Sequence, residues 1–326
     1  MLICLHSHRL LFFKSIFSNL SKYYSRTPTI VRYRAQSKQL ITQQIDTSVY
    51  RQCLTPSLLK LADLFKENNY ELRLAGGAVR DILMDIKPHD IDFATTATPD
   101  QMRDMLTKAN IRMINVNGEK HGTITARIDD EENFEVTTLR VDVVTDGRHA
   151  VVEYTQDWQL DASRRDLTVN ALFLDFNGTI YDYFNGIEDL KHRQIRFVGD
   201  PVERIKEDYL RILRYFRFFG RLAQENAQHD PDTLKAIREN VHGLKGVTLF
   251  FCSFRRKRSK FISDISGERL WVELKRIADG RNAGSVLKTM LEQDVGQYLG
   301  TMTFYINVFC LFESNELFQV FHRLQI

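Results

Sequence analysis

The sequence predicts an α+β/α multidomain protein, in which an α/β head with a mixed sheet is followed by an all-helical part. Three observations lead to this fold class. Strand-like and helix-like patterns alternate up to about residue 195. From Asp200 onward, apolar residues recur at helical spacing. At 326 residues, the chain is also long enough for two or more domains.

Each element of the head has its own local signal in the sequence. Residues 54–69 have apolar positions at helical spacing. The stretch "YELRLAGG" predicts a strand that runs into a glycine turn, and "AVRDILMDI" predicts the helix after it. "DIDFAT" alternates as a strand does, and "PDQMRDMLTKANI" predicts a helix that starts at Pro99. "GTITARI" and "NFEVTTLRVDVV" predict two antiparallel strands joined by the acidic turn Asp129–Glu132. The resulting βαβαββ order indicates a small α/β domain.

Asp-Pro pairs open the helical part. Asp200 is a suitable cap and Pro201 a suitable first helical residue, and Asp230 and Pro231 repeat the signature. Two segments do not fit this part: residues 247–264, with aromatic residues beside the basic run Arg255–Arg258, and residues 301–326. The basic run is either a nucleic-acid patch or targeting signal, or noncoding sequence in frame, which we prefer.

The first 45 residues predict a mitochondrial transit peptide or disordered leader. They are basic and amphipathic, and the first acidic residue of the chain is Asp46. The alternative is a disordered basic arm or a mistranslated leader. The expected compartment is the mitochondrion, with the cytoplasm and nucleus as alternatives.

Composition excludes several function classes. The net charge of +3 is too small to indicate a partner. No window reaches 18 apolar residues, so no membrane span is expected. Four scattered cysteines without a Cys-x-x-Cys motif imply neither a zinc site nor a disulfide framework (Cys4, Cys53, Cys252 and Cys310).

Asp90 and Asp92 are the leading candidates for metal ligands. Residues i and i+2 of a strand point to the same face, so these carboxylates should project together and repel unless a cation bridges them. Mg²⁺ prefers one or two carboxylates plus substrate phosphates. Glu135, on a later strand, is the candidate third carboxylate, which would hold a second ion or take a proton. The alternative is a solvated strand edge.

Phosphate-binding groups flank this pair. Gly76 and Gly77 let the backbone approach a ligand closely, and Arg80 adds a charged donor one turn into the helix. The stretch "RRDLTVNAL" supplies donors and acceptors for phosphate and ribose, namely Arg164, Arg165, Asp166 and Asn170. Taken singly, a diglycine is usually a turn, and Arg-Arg-Asp usually surface charge.

A stripe of arginines marks a later helix. Arg211, Arg214 and Arg217 recur every third residue among apolar neighbours, so they are expected to need anionic partners. Asp208 lies three residues before Arg211, and such a pair would match the exocyclic amine and ring nitrogen of cytosine and adenine. The alternatives are a solvated cationic face and a helix salt bridge.

These motifs together resemble the class II tRNA nucleotidyltransferases, the CCA-adding enzymes, and the related bacterial poly(A) polymerases. The matching stretches are "LAGGAVRD", "HDIDF", "GEKHGTITAR", "FEVTTLR", "RRDLTVNAL", "DYFNGIEDL", "EDYLRILRYFRF" and "ISGERLWVELKRI". The resemblance implies a polymerase β-like nucleotidyltransferase head at 46–195 and an RNA-binding helical neck with a truncated body at 196–300. The segment 247–264 would interrupt the latter, and 301–326 would be an atypical tail.

The resemblance also implies an activity and roles for residues. The activity is template-independent addition of CCA to the 3′ end of tRNA from CTP and ATP, with release of pyrophosphate. Two Mg²⁺ ions would serve as the cofactor. Asp90, Asp92 and Glu135 would be catalytic, Asp90 and Asp92 as metal ligands. The nucleotide would be bound by Gly76, Gly77, Arg80, Arg164, Arg165, Asp166, Asn170, Asp208, Arg211, Arg214 and Arg217.

The resemblance implies the tRNA acceptor stem and nucleoside triphosphates as partners, and no association with a membrane is expected. The sequence does not indicate any protein partner. Two alternatives remain: a poly(A) polymerase-like enzyme, and a truncated form that binds nucleotide with little activity on tRNA.

Overall fold

The computed structural model of the protein describes residues 40–114, 122–145, 150–247 and 267–299. Its strands are β1 (Ile41–Gln44), β2 (Leu72–Ala75), β3 (Asp92–Thr95), β4 (Arg112–Ile114), β5 (Thr123–Ile128), β6 (Glu132–Thr138), β7 (Arg140–Thr145), β8 (Ala150–Tyr154), β9 (Leu172–Leu174) and β10 (Thr179–Asp182). The head helices are α1 (Ser48–Cys53), α2 (Pro56–Glu67), α3 (Gly77–Leu83), α4 (Pro99–Lys108) and α5 (Trp158–Ser163).

The head is built on a mixed sheet, as predicted. Its strand order is β1-β10-β9-β2-β3-β6-β5-β4, and β7 pairs with β8 in a separate hairpin. The β3–β6 pair is parallel and sets Asp92 opposite Glu135, whereas β2 and β3 are antiparallel. This register places the first residue of β3 beside a carboxylate on the neighbouring strand.

Local signals explain the head helices. Thr55 and Thr98 cap α2 and α4 with their hydroxyl groups, and a proline follows each cap. One side of the sheet buries apolar residues of α2 and α4, such as Phe65 and Met102, in one core. A smaller core contains Phe173 and Trp158, whose rings meet edge to face at 4.9 Å.

In its described residues, the part after the sheet is built from helices and the loops that connect them. Its helices are α6 (Gly186–Lys191), α7 (Pro201–Glu207), α8 (Leu210–Leu222), α9 (Pro231–Asn240), α10 (Gly267–Ala278) and α11 (Ala283–Glu292), with short 3₁₀ helices at Val241–Val247 and Val295–Tyr298. A further 3₁₀ helix, Thr168–Asn170, lies just before β9. The third core is centred on α8, and it also includes Leu167 and Val169, which precede β9. Asp200 and Asp230 cap α7 and α9, as predicted.

The structure corrects three boundaries. The leader prediction, residues 1–45, is wrong at its end, because β1 pairs with β10 and the Ile45 N–H donates to the Gly178 carbonyl at 2.8 Å. The second predicted strand of the hairpin divides at Leu139, after which β7 leaves the main sheet. The arginine-rich segment also divides, since Asp208 is extended between α7 and α8.

Other predicted segments lie outside the described residues. These are residues 1–39 of the leader, nearly all of 247–264, and the tail 301–326. Within the described ranges, no helix is both long and apolar enough to cross a membrane.

Candidate active site

A cleft of about 1270 Å³ brings most of the predicted site residues together. It is lined by the turn after β2, the segment that leads into β3, the segment after α5, and the faces of α8 and α10. The predicted residues along it are Gly76, Gly77, Arg80, Asp90, Asp92, Arg164, Arg165, Asp166, Asn170, Asp208, Arg211, Arg214 and Arg217. Glu135 is not in the lining, and it approaches the site through its register with Asp92.

The diglycine turn has a conformation that only its first glycine requires. Gly76 has φ +64° and ψ −118°, and a Cβ there would lie 2.9 Å from the Arg165 guanidinium. Gly77 begins α3, and a Cβ there would make only an ordinary contact, 3.5 Å from the Arg80 guanidinium. No side chain of its own therefore covers the backbone of this turn where it lines the cleft.

The two aspartates of the Asp-x-Asp motif differ in their backbone. Asp92 is the first residue of β3, but Asp90 lies in a bend ahead of the strand, so strand alternation does not orient it. Burial raises the pKa of Asp92, and the negative charges of Glu135 and Asp90 raise it further against the opposing charge of Arg165. The charges of Glu135 and Asp90 therefore both act on the Asp92 carboxylate.

This set of carboxylates fits a divalent cation chemically. The side chains supply hard oxygen donors, and burial together with the charges of Glu135 and Asp90 raises the pKa of Asp92, so a cation there would favour the ionised carboxylate. The Asp90 carboxylate contacts the His89 ring at 2.9 Å, and both side chains are largely exposed. In the described part of the chain, no three acidic, histidine or cysteine side chains converge on a preformed metal site.

Asp161 organises the two arginines of the "RRD" stretch, and sequence reasoning missed it. Its buried carboxylate accepts hydrogen bonds from Arg164 at 2.8 Å and Arg165 at 3.1 Å, and from the Arg140 N–H at 3.2 Å. Burial opposes ionisation, but these two arginines outweigh it and lower the pKa of Asp161. The signal was available, because Asp161 precedes the arginines by three and four residues.

Asp166 and Asn170 belong to a buried hydrogen-bond network. The Asp166 carboxylate accepts from the Leu167 N–H at 2.8 Å, from Asn170 Nδ2 at 3.1 Å and from Arg214 Nε at 2.7 Å. Burial alone would raise the pKa of Asp166, but Arg214 and Asn170 lower it to about 2. The Asn170 side-chain oxygen accepts from Arg80 Nη1 at 2.5 Å. The network thus joins α3 of the head to α8.

A second ion-pair link joins the same two helices. Arg80 donates to Asp81 at 2.9 Å, and Arg221 near the end of α8 donates to the same carboxylate at 3.1 Å. The Arg80 guanidinium lies 4.9 Å from the centre of the Phe218 ring, and burial lowers its pKa. Arg80 is therefore fixed from three sides at the wall of the cleft.

The arginines of α8 have the anionic partners that their apolar surroundings require. Arg211 donates to Glu207 at 2.5 Å, Arg214 to Asp166, and Arg217 to Glu273 of α10 at 3.0 Å. Burial lowers the pKa of Arg217 to about 10, although Glu273 opposes the change. The sequence predicted a need for partners, but their identity came only from the tertiary structure.

Asp208 and Arg211 do not form the helical pair that was predicted. Asp208 is outside the helix, with φ −153° and ψ 106°, and its carboxylate accepts from Arg269 of α10 at 2.9 Å. Arg211 is bonded instead to Glu207 and to the backbone carbonyls of Arg204 and Arg164. The two side chains line the same cleft, but through different contacts.

The sequence of this chain is similar to a known family model and to curated proteins. Residues 72–196 match the family model described as the poly A polymerase head domain. The chain is 56% identical over 263 residues to the mitochondrial CCA tRNA nucleotidyltransferase 1 of Danio rerio, covering 81% of this chain and 57% of the relative. It is 55% identical over 261 residues to the Homo sapiens protein of the same name, with 80% and 56% covered.

The fold is also similar to those of solved CCA-adding enzymes. The CCA-adding enzyme of Bacillus stearothermophilus in complex with CTP has a TM-score of 0.62 at 30% identity, over 78% of this chain and 54% of that one. The Thermotoga maritima CCA-adding enzyme complexed with tRNA has a TM-score of 0.60 at 22% identity, over 80% and 56%, which supports the fold alone. The chain spans a little over half the length of these two curated relatives. The resemblance drawn from the motifs is confirmed.

Proposed function

We propose that this chain belongs to the nucleotidyltransferase family of the CCA-adding enzymes, whose head it resembles, and that it adds nucleotides to the 3′ end of tRNA. The reaction would be template-independent addition of CCA from CTP and ATP. The supporting observation is one cleft that contains the carboxylates, the bare diglycine turn and the arginine face of α8. The similar Bacillus stearothermophilus enzyme was solved with CTP.

The proposed chemistry transfers a nucleotidyl group. The 3′ hydroxyl oxygen of the RNA bonds to the α-phosphorus, and the α–β bridging bond breaks as pyrophosphate leaves with the electron pair. Glu135 would help hold a second ion or accept the hydroxyl proton. Asp90 and Asp92 would hold two Mg²⁺ ions, which lower the pKa of the hydroxyl and stabilise the charge on the leaving group when bound. The negative charge around Asp92 supports this assignment.

The nucleotide would lie against groups that the structure already orients. Gly76 and Gly77 allow close approach of the phosphates, and Arg80 and Arg165 stand beside them as donors. Arg164 shares the Asp161 anchor of Arg165. Asp166 and Asn170 are 8% and 7% exposed and are bonded to each other. They would therefore act on the ribose mainly indirectly, by orienting Arg214 and Arg80.

Base selection is assigned to the start of α8. Asp208 offers an acceptor and Arg211 donors, a combination that matches cytosine and adenine and leaves uracil and guanine unsatisfied. Arg214 and Arg217 continue the same face of the cleft. This assignment does not require the two side chains to touch each other.

Two alternatives are retained. A poly(A) polymerase-like enzyme would use the same cleft, since the family model is shared. The second alternative is a form that binds nucleotide with little activity on tRNA, since tRNA affinity depends on many phosphate contacts over a long surface and not on the nucleotide cleft alone. The proposed partners are the tRNA acceptor stem and the nucleotides, and the proposed compartment is the mitochondrion named for the relatives, with the cytoplasm or nucleus as further sites.

The test is incubation of the purified full chain with tRNA that lacks its 3′ CCA, Mg²⁺ and each nucleoside triphosphate. Addition of two C residues and then one A supports the proposal, and long A tails support the poly(A) alternative. Asp90→Ala and Asp92→Ala should each reduce incorporation at least about a hundredfold, whereas Glu131→Ala, an exposed acid outside the cleft lining, should not. CTP binding without any extension would refute the proposed activity and leave the nucleotide-binding alternative.

A further inference from the structure

The orientation of Asp208 is set by two contacts from different parts of the chain. Its backbone is extended, so no helical turn restricts its side chain. One carboxylate oxygen accepts from the Leu210 N–H at 3.0 Å, and the other accepts from Arg269 Nη2 at 2.9 Å. Arg269 lies 61 residues later, near the start of α10. The Asp208 carboxylate is therefore held by the Leu210 backbone N–H on one oxygen and by the Arg269 guanidinium on the other.

Arg269 itself is held in register by the packing of α10 on α8. Glu273, one turn further along α10, is bonded to Arg217 at 3.0 Å and faces Arg214 at 3.7 Å. These contacts fix α10 along the arginine face of α8. The Arg269 guanidinium is thereby presented to Asp208 at the end of the cleft where α8 begins.

The exposure of the pair argues for a role in orientation. The Arg269 side chain is 42% exposed and that of Asp208 is 21% exposed, and both line the cleft. Exposed ion pairs contribute little to folding stability. An ionised carboxylate has about four lone-pair sites, so the two contacts leave acceptor sites for a donor that enters the cleft.

We propose that Arg269 is a positioning residue for base selection, which holds the Asp208 carboxylate so that its remaining lone pairs face the exocyclic amine of an incoming cytosine or adenine. The inference rests on the proposed function, and it extends the base-reading group to α10. Arg269 acts through Asp208 and does not itself contact the base. Loss of Arg269 frees the carboxylate to rotate about its side-chain bonds, which weakens the distinction between bases with and without that amine.

The test compares CTP with UTP in the full chain. The readouts are the ratio of kcat/KM for the two nucleotides on tRNA lacking CCA, and the ratio of their Kd values without RNA. Arg269→Ala should lower both ratios by about tenfold, the size expected for one charge-assisted hydrogen bond. Arg269→Lys should recover part of the loss, because it restores a cation at that position. Lys275→Ala removes an exposed cation from the same helix outside the cleft lining and should change neither ratio.

A double variant separates the mechanisms. If Arg269 acts through Asp208, Arg269→Ala should add no further loss of selectivity to Asp208→Ala. An additive loss would overturn the proposal in favour of direct contact between Arg269 and the base. An equal fall in kcat for both nucleotides, with both ratios unchanged, would overturn it in favour of a purely structural role. If the wild-type chain does not extend tRNA, the proposed activity fails, but the Kd ratio still decides the role of Arg269.

Discussion

The link between Asp166 and Arg214 gives the sharpest prediction about stability. Asp166→Asn keeps the size of the side chain and an oxygen that accepts from the Leu167 N–H, but it removes the negative charge that faces Arg214. Asp166 is 8% exposed, and the ion pair joins the segment before β9 to α8. The variant therefore tests whether this ion pair helps to hold the head against the helical part.

Two independent estimates give the magnitude. Removal of one partner of a buried ion pair costs about 3–5 kcal/mol, but the Arg214 side chain is 33% exposed and retains Glu273 at 3.7 Å. The loss should therefore be smaller, about 2–3 kcal/mol. The pKa of Asp166, lowered from 3.8 to about 2, corresponds to about 2 kcal/mol of the free energy of unfolding.

The assay is urea unfolding followed by the fluorescence of Trp158, in the head, and Trp271, in α10. At pH 7, Asp166→Asn should lower the free energy of unfolding by about 2–3 kcal/mol. Lys60→Met is the matched control, because it breaks an exposed pair with Asp129 and should cost less than about 1 kcal/mol.

The difference in free energy of unfolding between wild type and Asp166→Asn should also depend on pH. Because the pKa of Asp166 is lower in the folded protein, its stabilisation is fully present above about pH 4 and is lost as the pH falls through about 2. The gap between wild type and Asp166→Asn should narrow over that range. A loss below about 1 kcal/mol at pH 7, or a gap that stays constant to pH 2, would refute the reasoning.

Two further predictions concern the turn and the cleft wall. Gly76→Ala should lower the free energy of unfolding by about 1–3 kcal/mol, because it forces a strained backbone and a 2.9 Å contact with Arg165. The control Gly77→Ala should lower it by less than about 1 kcal/mol. Equal losses for the two variants in thermal unfolding would contradict the strain assigned to Gly76. Arg276 is exposed in the cleft, so Arg276→Ala should weaken binding of tRNA and reduce the slope of log K against log salt by about 0.7–0.9, as expected for one phosphate contact. Lys275→Ala is the control, and an unchanged slope in Arg276→Ala would show that Arg276 does not contact phosphate.

Most of the head could be predicted because its signals are local. The Thr-Pro starts of α2 and α4, the strand that runs into Gly76, and the hairpin of β5 and β6 each depend on a few neighbouring residues. The errors arose where a local pattern met a tertiary constraint. Asp90 lies in a bend although its alternation predicts a strand, and Asp208 leaves the helix because its carboxylate bonds the Leu210 N–H.

The site was only partly predictable for a related reason. Asp161 could have been found from its spacing to Arg164 and Arg165, whereas Arg269 and Glu273 lie about 60 residues from the arginines and the aspartate that they contact. Spacing along a helix reports neighbours within four residues, and it cannot report which helix will pack alongside.

The order of residues along the chain specifies the chemical groups of the cleft, namely a diglycine turn, a pair of acids and a row of arginines among apolar residues. The pairing of these charges depends on the packing of distant elements, which sets Asp166 against Arg214, Glu273 against Arg217, and Asp208 against Arg269. The physical reason is that burial makes an unpaired charge costly without specifying its partner. The partner is decided by the packing of the elements around the cleft.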